Sequence, residues 1–175
     1  RSPEGYCGRA ANLMDKGELD KAIADCTEAI QLNPRFAVAY ECRAACYDRK
    51  RDSDRAIADS TRALELNPQV ALVYCTRANG YRRKGDLDKA VADYTEAIQR
   101  GPTAGKASSV RLALLNAYSG RAAALMDKGD LNWSIADYSE VIRIDPKLAA
   151  AYQCRGAVYY RKGETAKAEE DFSQA

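Results

Sequence analysis

The sequence predicts an all-α fold, an α-solenoid of stacked helix–turn–helix hairpins. Three observations carry that prediction. First, DKAIADCTEAIQLNP, DRAIADSTRALELNP and DKAVADYTEAIQRGP end at Pro34, Pro68 and Pro102, and Pro146 closes a fourth related stretch, so the spacings are 34, 34 and 44 residues. Second, apolar and small residues recur at helical spacing, while a strand-like alternation occurs nowhere. Third, a glycine followed by an acid divides nearly every interval in two. One such hairpin cannot bury its own apolar stripe, whereas stacked neighbours can.

The first helix of each unit opens on a tyrosine: Tyr6, Tyr40, Tyr74, Tyr118 and Tyr152. Three residues on stands Arg9, Arg43, Arg77, Arg121 or Arg155, and at once a small residue follows, Ala10, Ala44, Ala78, Ala122 or Gly156. Leu13, Tyr47, Tyr81, Leu125 and Tyr159 complete a stripe at i, i+4 and i+7. The turn glycines are Gly17, Gly85, Gly129 and Gly163. The second unit has Arg51 there instead. A side chain in the left-handed region costs about 1–2 kcal/mol, which predicts a distorted turn or a less stable repeat. The second helix carries Ala22, Ala56, Ala90, Ser134 and Ala168, and four residues on come Cys26, Ser60, Tyr94, Tyr138 and Phe172. Proline then stops the helix, because it cannot continue the hydrogen-bond ladder.

Each arginine is followed sixteen residues later by an aspartate: Arg9 and Asp25, Arg43 and Asp59, Arg77 and Asp93, Arg121 and Asp137, Arg155 and Asp171. Folding the hairpin about its turn brings these positions together. A structural Arg–Asp ladder is therefore expected, within each hairpin or across to a neighbour, since a guanidinium can grip a carboxylate through two hydrogen bonds. Contact of these arginines with a ligand is the other reading.

This residue set resembles the tetratricopeptide repeat (TPR) family. The resemblance covers a single array over 1–175, with repeats at about 3–36, 37–70, 71–104, 115–148 and a truncated 149–175, and an insertion at 105–114. The insertion's GPTAGKA brushes against a phosphate-binding loop but fails in glycine spacing and in lacking the Ser or Thr after its lysine. It reads as a loop, with Ser108 or Ser109 capping a lengthened first helix. The resemblance implies a right-handed solenoid whose first helices line a concave, partner-binding groove. It places Cys7, Gly8, Ala11, Glu41, Cys42, Ala45, Cys75, Thr76, Asn79, Ser119, Gly120, Ala123, Gln153, Cys154 and Ala157 on that face, so the floor would be made mostly of small side chains. Arg49, Arg82 and Arg83 would make the middle of its edge basic, which favours a partner with a central acidic residue. The Lys and Asn of the subtype that clamps C-terminal carboxylates are missing from the matching positions, Cys7 and Ala11.

The remaining composition narrows the function. With 27 basic and 25 acidic residues the chain lacks the surplus of a nucleic-acid binder. No apolar run approaches the ~20 residues of a membrane span. Histidine is absent, removing the commonest general base and metal ligand, and no nucleophile–base pair stands at motif spacing; no catalytic residue, metal or cofactor is expected. The six cysteines match no paired zinc spacing, read as small apolar packing residues, and as free thiols favour a reducing, cytoplasmic setting. The start at Arg1, without Met, is expected of a fragment or a processed product. Trp133 is expected half-buried against the neighbouring hairpin, or else exposed as a contact anchor. The predicted function is a non-catalytic scaffold holding a protein or peptide segment in the groove through Glu41, Arg49, Asn79, Arg82, Arg83 and Gln153. The alternative is a self-assembling homo-oligomer, stacked head to tail through uncapped terminal repeats.

Overall fold

The computed structural model describes residues 2–101 and 107–175, with side chains outside the description at 107–110. The described residues form ten helices and no strand. They are α1 (Pro3–Asp15), α2 (Leu19–Leu32), α3 (Ala37–Arg49), α4 (Ser53–Leu66), α5 (Ala71–Lys84), α6 (Leu87–Arg100), α7 (Ala107–Lys128), α8 (Leu131–Ile144), α9 (Ala149–Lys162) and α10 (Thr165–Gln174). The chain divides into two compact units, Arg1–Asp86 and Leu87–Ala175.

In the first unit each helix packs on the next, and the first helices α1, α3 and α5 also touch side by side. In the second unit α6 packs on α7, α7 on α8, α8 on α9 and α9 on α10. These close approaches follow from residue size. Ala22, Ala29, Ala44, Ala56, Ala78, Ala90 and Ala122 sit at 0–3 % exposure where helices meet. Larger side chains fill the space between, with Tyr94, Val141 and Val158 fully buried.

The turn inside each hairpin has one geometry. At Gly85 the backbone is left-handed (φ 82°), and Asp86 N–H reaches back to the Tyr81 carbonyl at 3.0 Å, closing the last turn of α5. Arg51 adopts the same left-handed conformation (φ 60°), and Asp52 N–H reaches the Tyr47 carbonyl at 2.9 Å. The expected distortion is therefore not seen: the second turn has the shape of the others, and the strain resides in Arg51. Asp52 supports the turn by accepting from Arg55 N–H at 3.2 Å and capping α4. Between hairpins, Asn33, Asn67 and Asp145 precede the prolines and accept from backbone N–H groups two residues on, at 3.0–3.3 Å.

Helix α7 has 22 residues against 14 in α5 and α9. Ser108 and Ser109 lie inside it, so neither is its N-cap; the helix starts earlier than the cap reading placed it. Most of GPTAGKA, with the loop reading that falls on it, lies outside the described residues. Trp133 is 71 % exposed, which overturns the half-buried expectation. It stands in the first turn of α8.

Candidate interaction surfaces

Arg43, Arg121 and Arg155 are three-way junctions. Arg43 donates from Nε and Nη2 to the two carboxylate oxygens of Asp59 at 2.7 and 2.9 Å. Arg121 holds Asp137 at 2.8 and 2.8 Å, Arg155 holds Asp171 at 2.8 and 2.7 Å, and Arg9 holds Asp25 at 2.5 Å through both nitrogens. The remaining nitrogen, Nη1, reaches the preceding hairpin: Arg43 to Thr27 at 3.1 Å, Arg77 to Thr61 at 3.4 Å, Arg121 to Thr95 at 3.1 Å and Arg155 to Ser139 at 2.9 Å. The guanidinium also lies 5.5–5.8 Å from the ring of the tyrosine three residues before it in all five repeats. Arg77 and Asp93 belong to different units and are described separately. The hydroxyls at 27, 61, 95 and 139 were missed in the sequence, although a Thr or Ser two residues after every aspartate was the available signal.

Arg9 has no preceding hairpin among the described residues. Its side chain is 48 % exposed, against 19–21 % for Arg43, Arg121 and Arg155. A second set of stitches crosses between hairpins on the outside: Lys50 with Asp20, Lys84 with Asp54, and Lys128 with Asp88 at 2.6 Å.

The residues assigned to the groove separate into committed and open groups. Asp48 is a hub: it accepts from Asn79 Nδ2 at 3.2 Å and pairs with Arg83, whose Nε also donates to Ser53 at 3.1 Å. Arg49 donates to the Met14 carbonyl at the end of α1 at 2.8 Å, and Arg161 repeats this bond to Met126. Asp48 thus neutralises much of the basic edge. Arg82 is half-buried on α5, and Gln153 is exposed on α9 in the other unit. Glu41, on the middle first helix of the first unit, is half-buried, and burial holds its carboxyl above the usual range. Among the described residues, that burial is the cause of the shift, with no hydrogen bond or ion pair of the Glu41 side chain beside it.

At two junctions the sixth position of a hairpin faces the preceding second helix, Cys42 against Cys26 and Gly120 against Tyr94. A Cβ built on Gly120 would come within 2.3 Å of the Tyr94 ring, so Tyr94 occupies the space that a side chain at 120 would need. At the first junction the corresponding pair is Cys26 and Cys42, which pack together. Their mutual interaction, with burial, pushes the Cys26 thiol up, while the same interaction draws Cys42 down against the effect of its burial. Burial pushes Cys7 and Cys46 up to about 11. All six cysteines are free, and Cys154 is exposed. Among the described residues, no group of three or more His, Cys, Asp or Glu is placed to hold a metal, and no helix is long and apolar enough to cross a membrane.

Hairpins joined by small-residue contacts, with an arginine junction repeated along them, define a helical-repeat scaffold of the protein-interaction class. The chain belongs to the tetratricopeptide repeat family: family profiles described as tetratricopeptide repeat match residues 3–36, 26–58 and 71–104, and one described as TPR repeat matches 122–163. Similar solved structures include MamA from Desulfovibrio magneticus RS-1, 15% identical over 98% of this chain and 92% of that one, with a TM-score of 0.83. PilW, a type IV pilus biogenesis factor, is 17% identical over 98% of this chain and 75% of its own, with a TM-score of 0.84. YrrB, described as a TPR protein with an unusual peptide-binding site, is 20% identical over 97% of this chain and 82% of its own, with a TM-score of 0.73. At these identities the likeness is one of fold. No curated protein sequence matches the chain significantly.

Proposed function

We propose that the row of first helices α1, α3 and α5 holds an extended or helical peptide segment of a partner protein, without catalysis, and that Glu41 receives a cationic group of that segment. The observation that carries this reading is the state of Glu41, a half-buried carboxylate whose desolvation is not offset within the chain. A Lys or Arg side chain, or a free N-terminal amine, would offset it. A small neighbour in the sequence pattern, Ala45, leaves room for an approaching chain, and exposed Val38 and Leu72 offer apolar contact beside it. The basic edge supports the earlier expectation of an acidic partner less well, because Arg83 and Asn79 already share Asp48. The peptide-binding description of YrrB agrees with a groove reading for this family member.

The test is a selection of displayed random peptides on the wild-type chain, counter-selected on Glu41→Gln. Peptides that share a basic residue and lose binding to Glu41→Gln are the expected result. A consensus without a basic residue, or one retained by the variant, refutes it.

A further inference from the structure

The junction of α1, α2 and α3 gathers thiols. Cys26 of α2 is 0 % exposed and shares one apolar cluster with buried Cys46 of α3, and half-buried Cys42 of α3 packs against the same cluster. Cys42 interacts with Cys26 and also with Cys7 of α1, itself buried. Four of the six cysteines therefore lie at one junction. Cys7, Cys26 and Cys42 stand at the fifth, twenty-fourth and sixth positions of the repeat. The next junction has Glu41, Ser60 and Thr76 at those positions, and the junction at Cys154 has Ser119 and Tyr138. The grouping of thiols belongs to the first junction, and no feature of the repeat pattern requires it.

The four thiols differ in access and in charge. Cys7, Cys26 and Cys46 are buried, whereas Cys42 keeps part of its surface open. A small oxidant arriving from solvent therefore meets Cys42 first. The interaction between Cys42 and Cys26 draws the first down and pushes the second up, so Cys42 is the member of the pair that ionises first. The Glu41 carboxylate beside it works in the opposite sense without reversing the direction. A thiolate is the nucleophile in thiol oxidation, and its exposure decides which cysteine is attacked. Burial holds Cys7 and Cys46 up at about 11, which leaves both largely protonated near neutral pH.

We propose that Cys42 and Cys26 are a reversible dithiol–disulfide pair, in which a hydroperoxide oxidises Cys42 and Cys26 resolves the product. In the first step the Cys42 sulfur attacks one peroxide oxygen. The O–O bond breaks, Cys42 becomes a sulfenic acid, and the other oxygen leaves as water or an alcohol with the proton that Cys42 gave up. In the second step the Cys26 sulfur attacks the Cys42 sulfur. The S–O bond breaks, the S–S bond forms, and the hydroxyl leaves as water with the Cys26 proton. The two thiols together lose two electrons and the peroxide gains them. A dithiol reductant reverses the bond by exchange. The bond joins α2 to α3 across the connection that contains Pro34, so it fastens the first hairpin to the second. This chemistry is independent of what the first helices bind.

The test is peptide mapping of the 175-residue chain after treatment with hydrogen peroxide and alkylation under denaturing, non-reducing conditions. Cys154→Ser is the parent for every sample, so that this exposed thiol cannot link two chains. Trypsin cleaves after Arg9, Lys21, Arg35, Arg43 and Arg49 and releases Cys7, Cys26, Cys42 and Cys46 on four different peptides, so every linkage has its own mass. The expected product is a Cys26–Cys42 link within a monomer, lost on treatment with dithiothreitol. Two variants separate the roles. Cys26→Ser and Cys42→Thr copy Ser60 and Thr76 of the next junction, and unchanged helical circular dichroism is the control on their folding. Cys26→Ser is expected to stop at the sulfenic acid, trapped by dimedone on the 36–43 peptide. Cys42→Thr is expected to leave Cys26 a free thiol over the same exposure to peroxide. A link from Cys42 to Cys7 or Cys46 overturns the choice of Cys26 as its partner. Oxidation of Cys42 to sulfinic or sulfonic acid without a link, or a link found solely between chains, overturns the pair. A Cys42 that stays a thiol, or a Cys26 that oxidises equally fast in Cys42→Thr, overturns Cys42 as the point of attack.

Discussion

The Tyr94–Gly120 contact can be tested as a size match by a double-mutant cycle. Tyr94 is fully buried, and two of its ring carbons and its hydroxyl oxygen lie 2.3–2.8 Å from the Cβ that Gly120 lacks. Gly120→Thr therefore forces overlap with a ring that has no exposed space to move into. Overpacking of this kind costs about 1–3 kcal/mol, less a few tenths for replacing a helical glycine. Tyr94→Ser alone leaves a cavity and costs about 3–5 kcal/mol. The double substitution copies the Ser60 and Thr76 found at the same two positions one junction earlier. It removes the overlap entirely and partly refills the void, so it is expected to cost no more than Tyr94→Ser by itself. The coupling should then favour the double variant by about 1–3 kcal/mol. Urea unfolding followed by circular dichroism measures each corner of the cycle, with midpoint and slope analysed separately because repeat arrays depart from two-state behaviour. Additivity within about 0.5 kcal/mol would refute the claim that these two residues are matched to each other.

The remaining predictions address the junction, the turn and the groove. Arg121→Met leaves Asp137 buried without its bidentate partner and is expected to cost about 2–3 kcal/mol by urea unfolding, between the values for exposed and fully buried pairs. Arg121→Met combined with Asp137→Leu should recover most of that loss, and Arg9→Met, at the exposed end, should be the mildest of the series; equal losses at Arg9 and Arg121 would sink the reasoning. Arg51→Gly relieves the left-handed strain and is expected to stabilise the chain by about 1 kcal/mol, read as a raised urea midpoint. For Glu41 the sign is fixed by burial: the folded chain holds its proton to higher pH than the unfolded chain, so this group lowers stability as pH rises from the unfolded value through the folded one. Glu41→Gln should remove that fall and leave the variant more stable than wild type at pH 7; a variant less stable at pH 7 would show that the carboxylate is paired after all.

The helices and their turns were legible because each rests on local chemistry repeated five times. A glycine that must be left-handed, a proline that must stop a helix, and a stripe at i, i+4 and i+7 need no knowledge of the neighbours. The sixteen-residue interval between arginine and aspartate was equally readable, since folding a hairpin about its turn brings those positions to one level. What the sequence concealed were relations between hairpins. Thr27 accepts from Arg43, a contact whose recurring hydroxyl went unread, and Asp48 collects Asn79 and Arg83 across spans that no periodicity marks out. The family resemblance put the sixth position on the groove, whereas Gly120 at that position is small to admit the Tyr94 ring from the helix below. Trp133 shows the opposite error: size suggested burial, but its place in the first turn of α8 leaves it in solvent.

The pairing of Tyr94 with Gly120 has a consequence for how such a chain can be lengthened or shuffled. The two residues stand on opposite sides of the boundary between repeats, so a duplicated hairpin inherits a mismatched neighbour at each cut. A transplant that keeps a second helix joined to the first helix after it carries its own fitting surfaces intact. For grafting or evolutionary gain of copies, the portable module of this protein is therefore the piece running from one turn to the next, out of phase with the repeat as its prolines mark it.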